Sequence, residues 1–554
     1  MDWDASYDVL VVGSGAAGLT AGLTAQLKGM SSLVLEKTEL YGGSTALSGG
    51  AVWIPMNQYL EEANVGDSTE EARAYLDATV GDRVPSELKE AYLNRGPEML
   101  RYLHERTKHI RFEYTPGYSD YYPEKPGGFS KGRSVEPVLF DLRQLGEERK
   151  KMRRANLPTY GMVMNSYEFH KLNMIKRVFA GKKMALRVGM RLMRSVLTGY
   201  RPSALGEALV GSLRLSLGEA GGELWLSTAF CDFVLEDGKV NGLVVEREGK
   251  KMNIQARRGV VLGAGGFSHN QVLREKYLPA PTSTEWTSAA EGQTGDIIEA
   301  SLRAGAKLDL MDKVWGAPSA IPPGEKPFFL VAERGIPNMI VVNSGAERYL
   351  NEVAPYHEFV DRMYENDKTG AHTIPSWLIL DKTSKSRYMF MGLLPGQSFP
   401  KRWVESGYIK VGNSLVEIAE KTGLPVDNLT ATLDRFNRFA REGKDEDFHR
   451  GDSAYDHYYG DPTLPNPNLA PIEKAPFYAI PIYPGDIGTK GGLTIDQHAR
   501  VLHENGSPII GLYAAGNCSA AVMGESYPGP GATIGPAMTF SYIATDHMAT
   551  DRGE

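Results

Sequence analysis

The sequence predicts an α/β fold: a parallel-sheet domain assembled from both ends of the chain, with an α+β domain inserted between them. Three observations predict it. Asp8-Val-Leu-Val-Val-Gly13-Ser14-Gly15-Ala16-Ala17-Gly18 is an apolar strand running into G-x-G-x-x-G, and a helical stretch from Leu19 to about Lys28 follows. Ser31-Ser-Leu-Val-Leu-Glu36-Lys37 reads as the next strand, ending in an acid 23 residues after Gly13. Gly511-Leu-Tyr-Ala-Ala-Gly516-Asn517, far along the chain, reads as a further strand ending in glycine.

In this pattern Gly13 makes the turn, Gly15 leaves room for a pyrophosphate, and Gly18 packs helix on strand. Glu36 stands where an acid bonds ribose hydroxyls. A lone G-x-G-x-x-G says little. With the strand before it, the helix after it and the acid at that distance, it specifies a Rossmann-like dinucleotide site.

Composition bounds the rest. A chain of 554 residues exceeds one ordinary core, so two or more domains are expected. Hydrophobic residues make up 42% and charged residues 23%, ordinary values for a globular protein. Cys231 and Cys518 form no CxxC pair, so neither a disulfide framework nor a dithiol redox centre is expected, and no metal is expected. This usage fits a cytoplasmic protein. Met1 to Asp8 is acidic without an apolar stretch, so no secretory signal is expected. No apolar run is long enough to span a bilayer. A net charge of −7 argues against nucleic acid as a partner.

Tyr41-Gly42-Gly43-Ser44-Thr45-Ala-Leu-Ser48-Gly49-Gly50 is a second loop of glycines and hydroxyls. This layout resembles that of FAD-binding flavoproteins related to fumarate reductase and succinate dehydrogenase. The resemblance implies FAD, with this loop passing the pyrophosphate and the flavin ring. Members with covalent flavin carry a histidine here; this loop has none, which implies non-covalent FAD. The resemblance adds Lys37, Gly265 at the end of the strand Gly259-Val-Val-Leu-Gly263, Asp296, Gly516, Asn517 and Ile534 to the cofactor set. It brings the Gly516-Asn517 strand end to the ribityl chain.

Further elements follow in order. Asp67-Ser-Thr-Glu70 opens a helix with Ser68 or Asp67 as N-cap, and another helix runs from about Ser86 to Arg106. Gly117 to Glu124 is a loop with clustered phenols. Glu236-Asp-Gly238 turns a hairpin between apolar runs within Phe230 to Arg247. Thr294-Gly295-Asp296 opens a helix, Ile297 to Ala304. From about Asp312 aromatics, prolines and long loops increase. The chain is thus divided as 1–311 and 488–554 for the FAD domain and 312–487 for the inserted catalytic domain. Within the latter, Leu429 to Glu442 reads as a helix capped by Asp427 or Asn428.

A basic segment, about 149–205, stands apart. Arg149 to Arg201 contains fourteen Lys and Arg against one acid, Glu168, with seven methionines interspersed. Leu172, Ile175, Val178 and Phe179 recur at helical spacing. Cations mixed with apolar side chains read as a helix lying on a membrane surface. The segment is expected to dock the protein peripherally on an anionic membrane without crossing it.

Near the end, Glu525-Ser-Tyr527-Pro-Gly529-Pro-Gly531 is a Pro/Gly turn, and a helix from about Gly535 to His547 follows. Such a turn presents free N–H groups and the positive end of a helix dipole, suited to a developing negative oxygen.

That turn, Ala51-Val-Trp53-Ile-Pro55, Asp120-Tyr121-Tyr122, Asn343 to Glu352, Pro355-Tyr356, Phe448 to Gly451 and Asp486 to Gly492 together resemble the 3-ketosteroid Δ1-dehydrogenases over most of the chain. The basic segment is the main departure. The resemblance implies that Tyr527 O–H and Gly531 N–H hold the C3 carbonyl oxygen. Tyr356 takes the C2 proton as tyrosinate, and Tyr121 supports its ionisation. The C1 hydride goes to flavin N5, and an external acceptor, with a quinone as candidate, takes the electrons. Tyr122 competes for the Tyr121 role, and His357 for that of the base. Phe328, Phe329, Trp315 and Met339 are candidates for an apolar steroid pocket. The alternatives are 4,5-desaturation of a 5α-3-ketosteroid, a fumarate-reductase-like activity, and a non-catalytic membrane-bound carrier.

Overall fold

The computed structural model describes residues 2–155 and 161–550; residues 156–160 of the basic segment lie outside this range. The larger sheet has eight strands. Six of them lie in the order Arg500–Leu502, Pro508–Ala514, Lys250–Leu262, Ala5–Val12, Ser32–Leu35, Glu223–Trp225. Ala5–Val12 runs parallel to both its neighbours, and Lys250–Leu262 runs parallel to Pro508–Ala514. Both chain ends therefore build one sheet. Val9, Leu10, Val11, Leu33 and Val34 are fully buried, with helices Ala16–Leu27 and Ile534–Thr550 packed against this sheet; such strands read as unbroken apolar runs. The hairpin Thr228–Glu236 and Lys239–Arg247 extends the sheet. Its turn residues Asp237 and Gly238 both have positive φ, 50° and 75°, which suits the twist of a two-residue hairpin.

Helix Ala16–Leu27 follows the first strand and is buried from Ala16 to Ala25, its Ala and Gly residues allowing close packing. Helix Thr69–Thr79 is capped by Ser68, whose Oγ accepts from the Glu71 N–H at 3.2 Å. The next helix spans Ser86–Arg106. The last helix, Ile534–Thr550, is longer than the sequence predicts and packs against both Ala16–Leu27 and Ser86–Arg106.

The second sheet has six strands, antiparallel throughout: Phe328–Phe329, Val314–Ala320, Phe477–Thr489, Ser376–Asp381 and Met339–Val342, with Lys410–Gly412 also on Phe477–Thr489. Met339, Val341, Leu378, Leu380, Ile480 and Ile482 enter one core and Ile340, Val342, Ile379 and Ala479 another. This is the two-residue alternation of a strand buried on both sides. Helix Val426–Glu442 covers the second face with Leu429, Leu433 and Phe436. It begins earlier than expected, after Pro425. Asp427 is not the cap but lies in the first turn, where its charge complements the helix dipole.

In the basic segment, Ser166–Asn173 and Phe179–Thr198 are separate helices, so the spacing from Leu172 to Phe179 spans a break and not one continuous helix. Gly199, at φ 66°, ends the second of them. Val188 packs onto Leu172 and Met164, and Arg191 donates to the buried Glu168 at 2.7 Å. Lys176 donates to Ser386 O and Pro395 O at 2.9 Å, and Arg177 to Asp461 at 2.6 Å. No described helix is long and apolar enough to cross a membrane.

Candidate active site

A cavity of about 1720 Å³ is lined by residues of both sheet regions. That exceeds the roughly 300–1,000 Å³ of a site for one small ligand. The glycine loops and the phenols both line it.

The glycine end is built by close approach. A Cβ on Gly18 would collide with the Gly13 carbonyl, so only glycine lets the helix start this near the strand end. No side chain caps helix Ala16–Leu27, although the Ala16 N–H donates to Thr45 Oγ1 at 2.9 Å. An uncapped helix start beside a glycine loop is an anion cradle. A Cβ on Gly43 would lie 3.6 Å from Gly15 Cα, so the two glycine loops face each other. Glu36 Oε2 accepts from Ser14 Oγ at 2.5 Å, and Oε1 from the Thr38 N–H and Oγ1 at 2.9 and 2.8 Å. This fixes the carboxylate at the cavity wall, where it retains lone pairs for ribose hydroxyls. The residues present therefore fit a dinucleotide.

Ser14, Ala16, Ala17, Lys37, Ser44, Thr45, Ser48, Gly49, Gly50, Gly265, Asp296, Gly516, Asn517 and Ile534 line the same cavity, as do Gly13, Glu36 and Gly43. Lys37 and Asp296 pair with each other at 2.6 Å. Gly15, Gly18 and Gly42 are not among the lining residues; the Gly42 N–H donates to Ser14 Oγ at 3.0 Å. Gln293, which sequence reasoning missed, donates to Ser44 Oγ at 2.6 Å.

Tyr121, Tyr356, Tyr527 and Gly531 all line the cavity. The Tyr121 hydroxyl donates to Tyr356 Oη at 2.8 Å. The Tyr527 ring lies 5.2 Å from each of those two rings and 4.8 Å from Trp315. Burial pushes all three phenols above their ordinary range, and the Tyr121 bond opposes this at Tyr356. Tyr356 is the first residue of helix Tyr356–Asn366, where the dipole favours an anion. Tyr122 faces elsewhere: its Oη lies 3.0 Å from His357 Nε2. His357 is absent from the cavity wall, and burial holds it well below the usual imidazole range.

The Pro/Gly turn is tied down along its length. Pro528 O accepts from the Tyr121 N–H at 2.9 Å and from Tyr75 Oη at 2.6 Å; Pro530 O accepts from Ser134 Oγ at 2.6 Å. Gly531, at φ 94°, sits so close to Ala51 O that no side chain fits. Its buried N–H donates to no group among the described residues. A buried orphan donor at a cavity wall is a binding group.

Phe328 and Phe329 line the cavity. Trp315 instead backs Tyr527, and Met339 is buried in the core of the second sheet. Tyr118, Tyr459, Met389, Met391 and Trp403 complete the apolar wall, together with Met162, Met164 and Phe169 from the basic segment. Tyr118 belongs to the phenol-rich loop and Met162, Met164 and Phe169 to the basic segment, but no motif marked Tyr459, Met389, Met391 or Trp403.

The family described as "FAD binding domain" matches residues 8–534. A 3-oxosteroid 1-dehydrogenase of Mycolicibacterium smegmatis is 49% identical over 98% of this chain and 97% of its own. One of Mycobacterium tuberculosis is 47% identical over 99% of both. The crystal structure of a 3-ketosteroid Δ1-dehydrogenase from Sterolibacterium denitrificans, in complex with 1,4-androstadiene-3,17-dione, superposes with a TM-score of 0.93 at 41% identity, covering 98% of this chain and 99% of that one. The chain belongs to the FAD-binding flavoproteins and, within them, to the 3-oxosteroid 1-dehydrogenases.

Proposed function

We propose that this protein removes hydrogen from C1 and C2 of 3-ketosteroids, with Tyr527, Gly531, Tyr356 and Tyr121 as its working groups. The observation that carries this reading is the Tyr121–Tyr356 hydrogen bond beside an orphan Gly531 N–H in one cavity. The Tyr527 O–H and Gly531 N–H hold the C3 oxygen and strengthen their grip as it gains charge. That polarisation acidifies the C2 hydrogen, and Tyr356 takes the proton. Tyr121 donates to the tyrosinate oxygen. Glu36, the two glycine loops and the start of helix Ala16–Leu27 would hold FAD without a covalent link; when bound, FAD supplies the acceptor for the C1 hydride. An external oxidant, with a quinone as candidate, resets it. The cofactor-holding parts are 1–311 and 488–554, and 312–487 is the catalytic domain.

The same reading places the protein on an anionic membrane surface from the cytoplasmic side. Helix Phe179–Thr198 carries Lys182, Lys183, Arg187, Arg191 and Arg194 and no acid. Phe179, Leu186, Met190, Met193 and Leu197 are exposed along it, Phe179 to 81%. Exposed apolar side chains among cations on one helix suit the headgroup boundary. Met162, Met164 and Phe169 of the same segment reach the cavity, so a membrane-dissolved steroid would have a short path.

The reaction is tested by mixing FAD-loaded protein anaerobically with androst-4-ene-3,17-dione and analysing the product. Bleached flavin and a 1,4-dien-3-one are expected. Turnover confined to 5α-reduced steroids, giving a 4-ene, would assign the alternative 4,5-desaturation.

A further inference from the structure

One buried cation has no part in the chemistry above. Lys490 follows the long strand Phe477–Thr489 and is 1% exposed. Its Nζ donates to the carbonyl oxygens of Glu525 and Ser526 at 2.6 and 2.8 Å. These are the two residues immediately before Tyr527. The same ammonium lies 4.5 Å from the centre of the Trp315 ring. Trp315 meets Tyr527 edge-on at 4.8 Å, and its Nε1 donates to Asn517 Oδ1 at 3.1 Å.

Burial pulls the Lys490 ammonium down to about 7, so its charge is carried at and below neutral pH; the groups whose charge acts on it are Asp361 on helix Tyr356–Asn366, Glu525 on the turn and Lys313 before strand Val314–Ala320. His357 in turn feels the Lys490 charge. Among the described residues, no carboxylate lies within ion-pair distance of Nζ. A buried ammonium whose acceptors are neutral carbonyls and a ring face is costly to keep. An apolar side chain would fill the space at lower cost. Its position explains what the charge does.

We propose that Lys490 is a positioning residue for the desaturation: it clamps the two carbonyls that aim Tyr527 into the cavity, and in its protonated form it places a positive charge behind the oxygen that turns negative. This rests on the reading of Tyr527 and Gly531 as donors to the C3 oxygen. In a water-poor site a fixed charge favours an enolate-like oxygen far more than a neutral ketone. The gain therefore falls on the transition state and not on ground-state binding.

The test compares two ligands of FAD-loaded protein. A steroid whose phenolic A-ring carries electron-withdrawing substituents, so that it is ionised near neutral pH where Lys490 still carries charge, mimics the developing oxyanion; a 1,4-dien-3-one is the neutral counterpart. Lys490→Gln keeps an N–H donor for the carbonyls and removes the charge, and Lys490→Arg keeps the charge. Lys490→Gln is expected to weaken phenolate binding by about tenfold or more while the dienone Kd moves by less than about threefold. Lys490→Arg is expected to retain most of the phenolate preference. Equal losses for both ligands in Lys490→Gln, or no loss for either, overturn the proposal. Because the readout is a ratio of affinities, incomplete folding or loading does not obscure it. Tyr527→Phe is the control: if it leaves phenolate binding unchanged, the reading of Tyr527 fails. If it weakens phenolate binding and Lys490→Gln does not, only the role of Lys490 fails.

Discussion

The Tyr121 hydroxyl donates to the Tyr356 oxygen across 2.8 Å, although 235 positions separate the two residues. Each phenol arrives by a different route. Tyr356 starts a helix immediately after Pro355. Tyr121 is held by its own N–H to Pro528 O and by Asp120, which accepts from Trp53 Nε1 at 2.8 Å and pairs with Arg133. The pair therefore depends on the turn that carries Tyr527.

Tyr121→Phe removes the bond that favours the Tyr356 anion. Burial already holds Tyr356 above the ordinary phenol range, so the tyrosinate is a minor species at neutral pH and flavin reduction should accelerate as pH rises. A hydrogen bond to a charged group is worth about 1.5–3 kcal/mol, or roughly one to two pKa units. The rising limb of the reduction rate against pH should move up by that amount. A superimposable pH profile would remove Tyr121 from the mechanism.

Tyr527→Phe leaves the Gly531 N–H as the remaining donor. One oxyanion donor is typically worth roughly 3 kcal/mol, about a hundredfold in rate. Stopped-flow reduction at saturating steroid should slow by that factor and remain measurable. Loss of affinity with an unchanged saturated rate contradicts the oxyanion role.

Arg133→Ala should unfold the phenol loop before it affects chemistry directly. Arg133 is fully buried and pairs with Asp67 at 2.8 Å and with Asp120. Burial raises Asp120 to about 6 even with this partner present. Removing one member of a buried ion network typically costs about 3–5 kcal/mol. Denaturant unfolding of the FAD-loaded protein should register this loss; a change below about 1 kcal/mol would show the network to be dispensable.

The nucleotide half was legible because its chemistry is local. Gly13, Gly18 and Glu36 lie within one βαβ pattern, and the structure places them as that pattern dictates. Tyr121 and Tyr122 could not be told apart from sequence, since adjacent positions on a loop point differently only once Pro528 fixes the backbone. Lys490 lies in the Asp486 to Gly492 stretch, but nothing there marked it as a positioning group, because its partners are backbone carbonyls, which any sequence supplies. The helix break between Asn173 and Phe179 was hidden because apolar spacing continues across it.

Exchanging Lys182, Lys183, Arg187 and Arg194 for Gln, with Phe179 and Leu197 for Ser, alters only exposed positions of the basic helix. Each cation near an anionic surface is worth about 1 kcal/mol. The variant should keep FAD and turnover of dissolved steroid while losing co-sedimentation with anionic liposomes. Equal sedimentation of both proteins, or none by the parent at low salt, contradicts membrane docking.

The most direct test of the account is Tyr356→Phe in anaerobic single turnover. The substitution removes one hydroxyl, so FAD content and steroid binding should persist. Flavin reduction at saturating 3-ketosteroid should fall by at least roughly two orders of magnitude, the usual worth of a positioned base. Reduction at a near-normal rate would contradict the account and assign proton removal to another group.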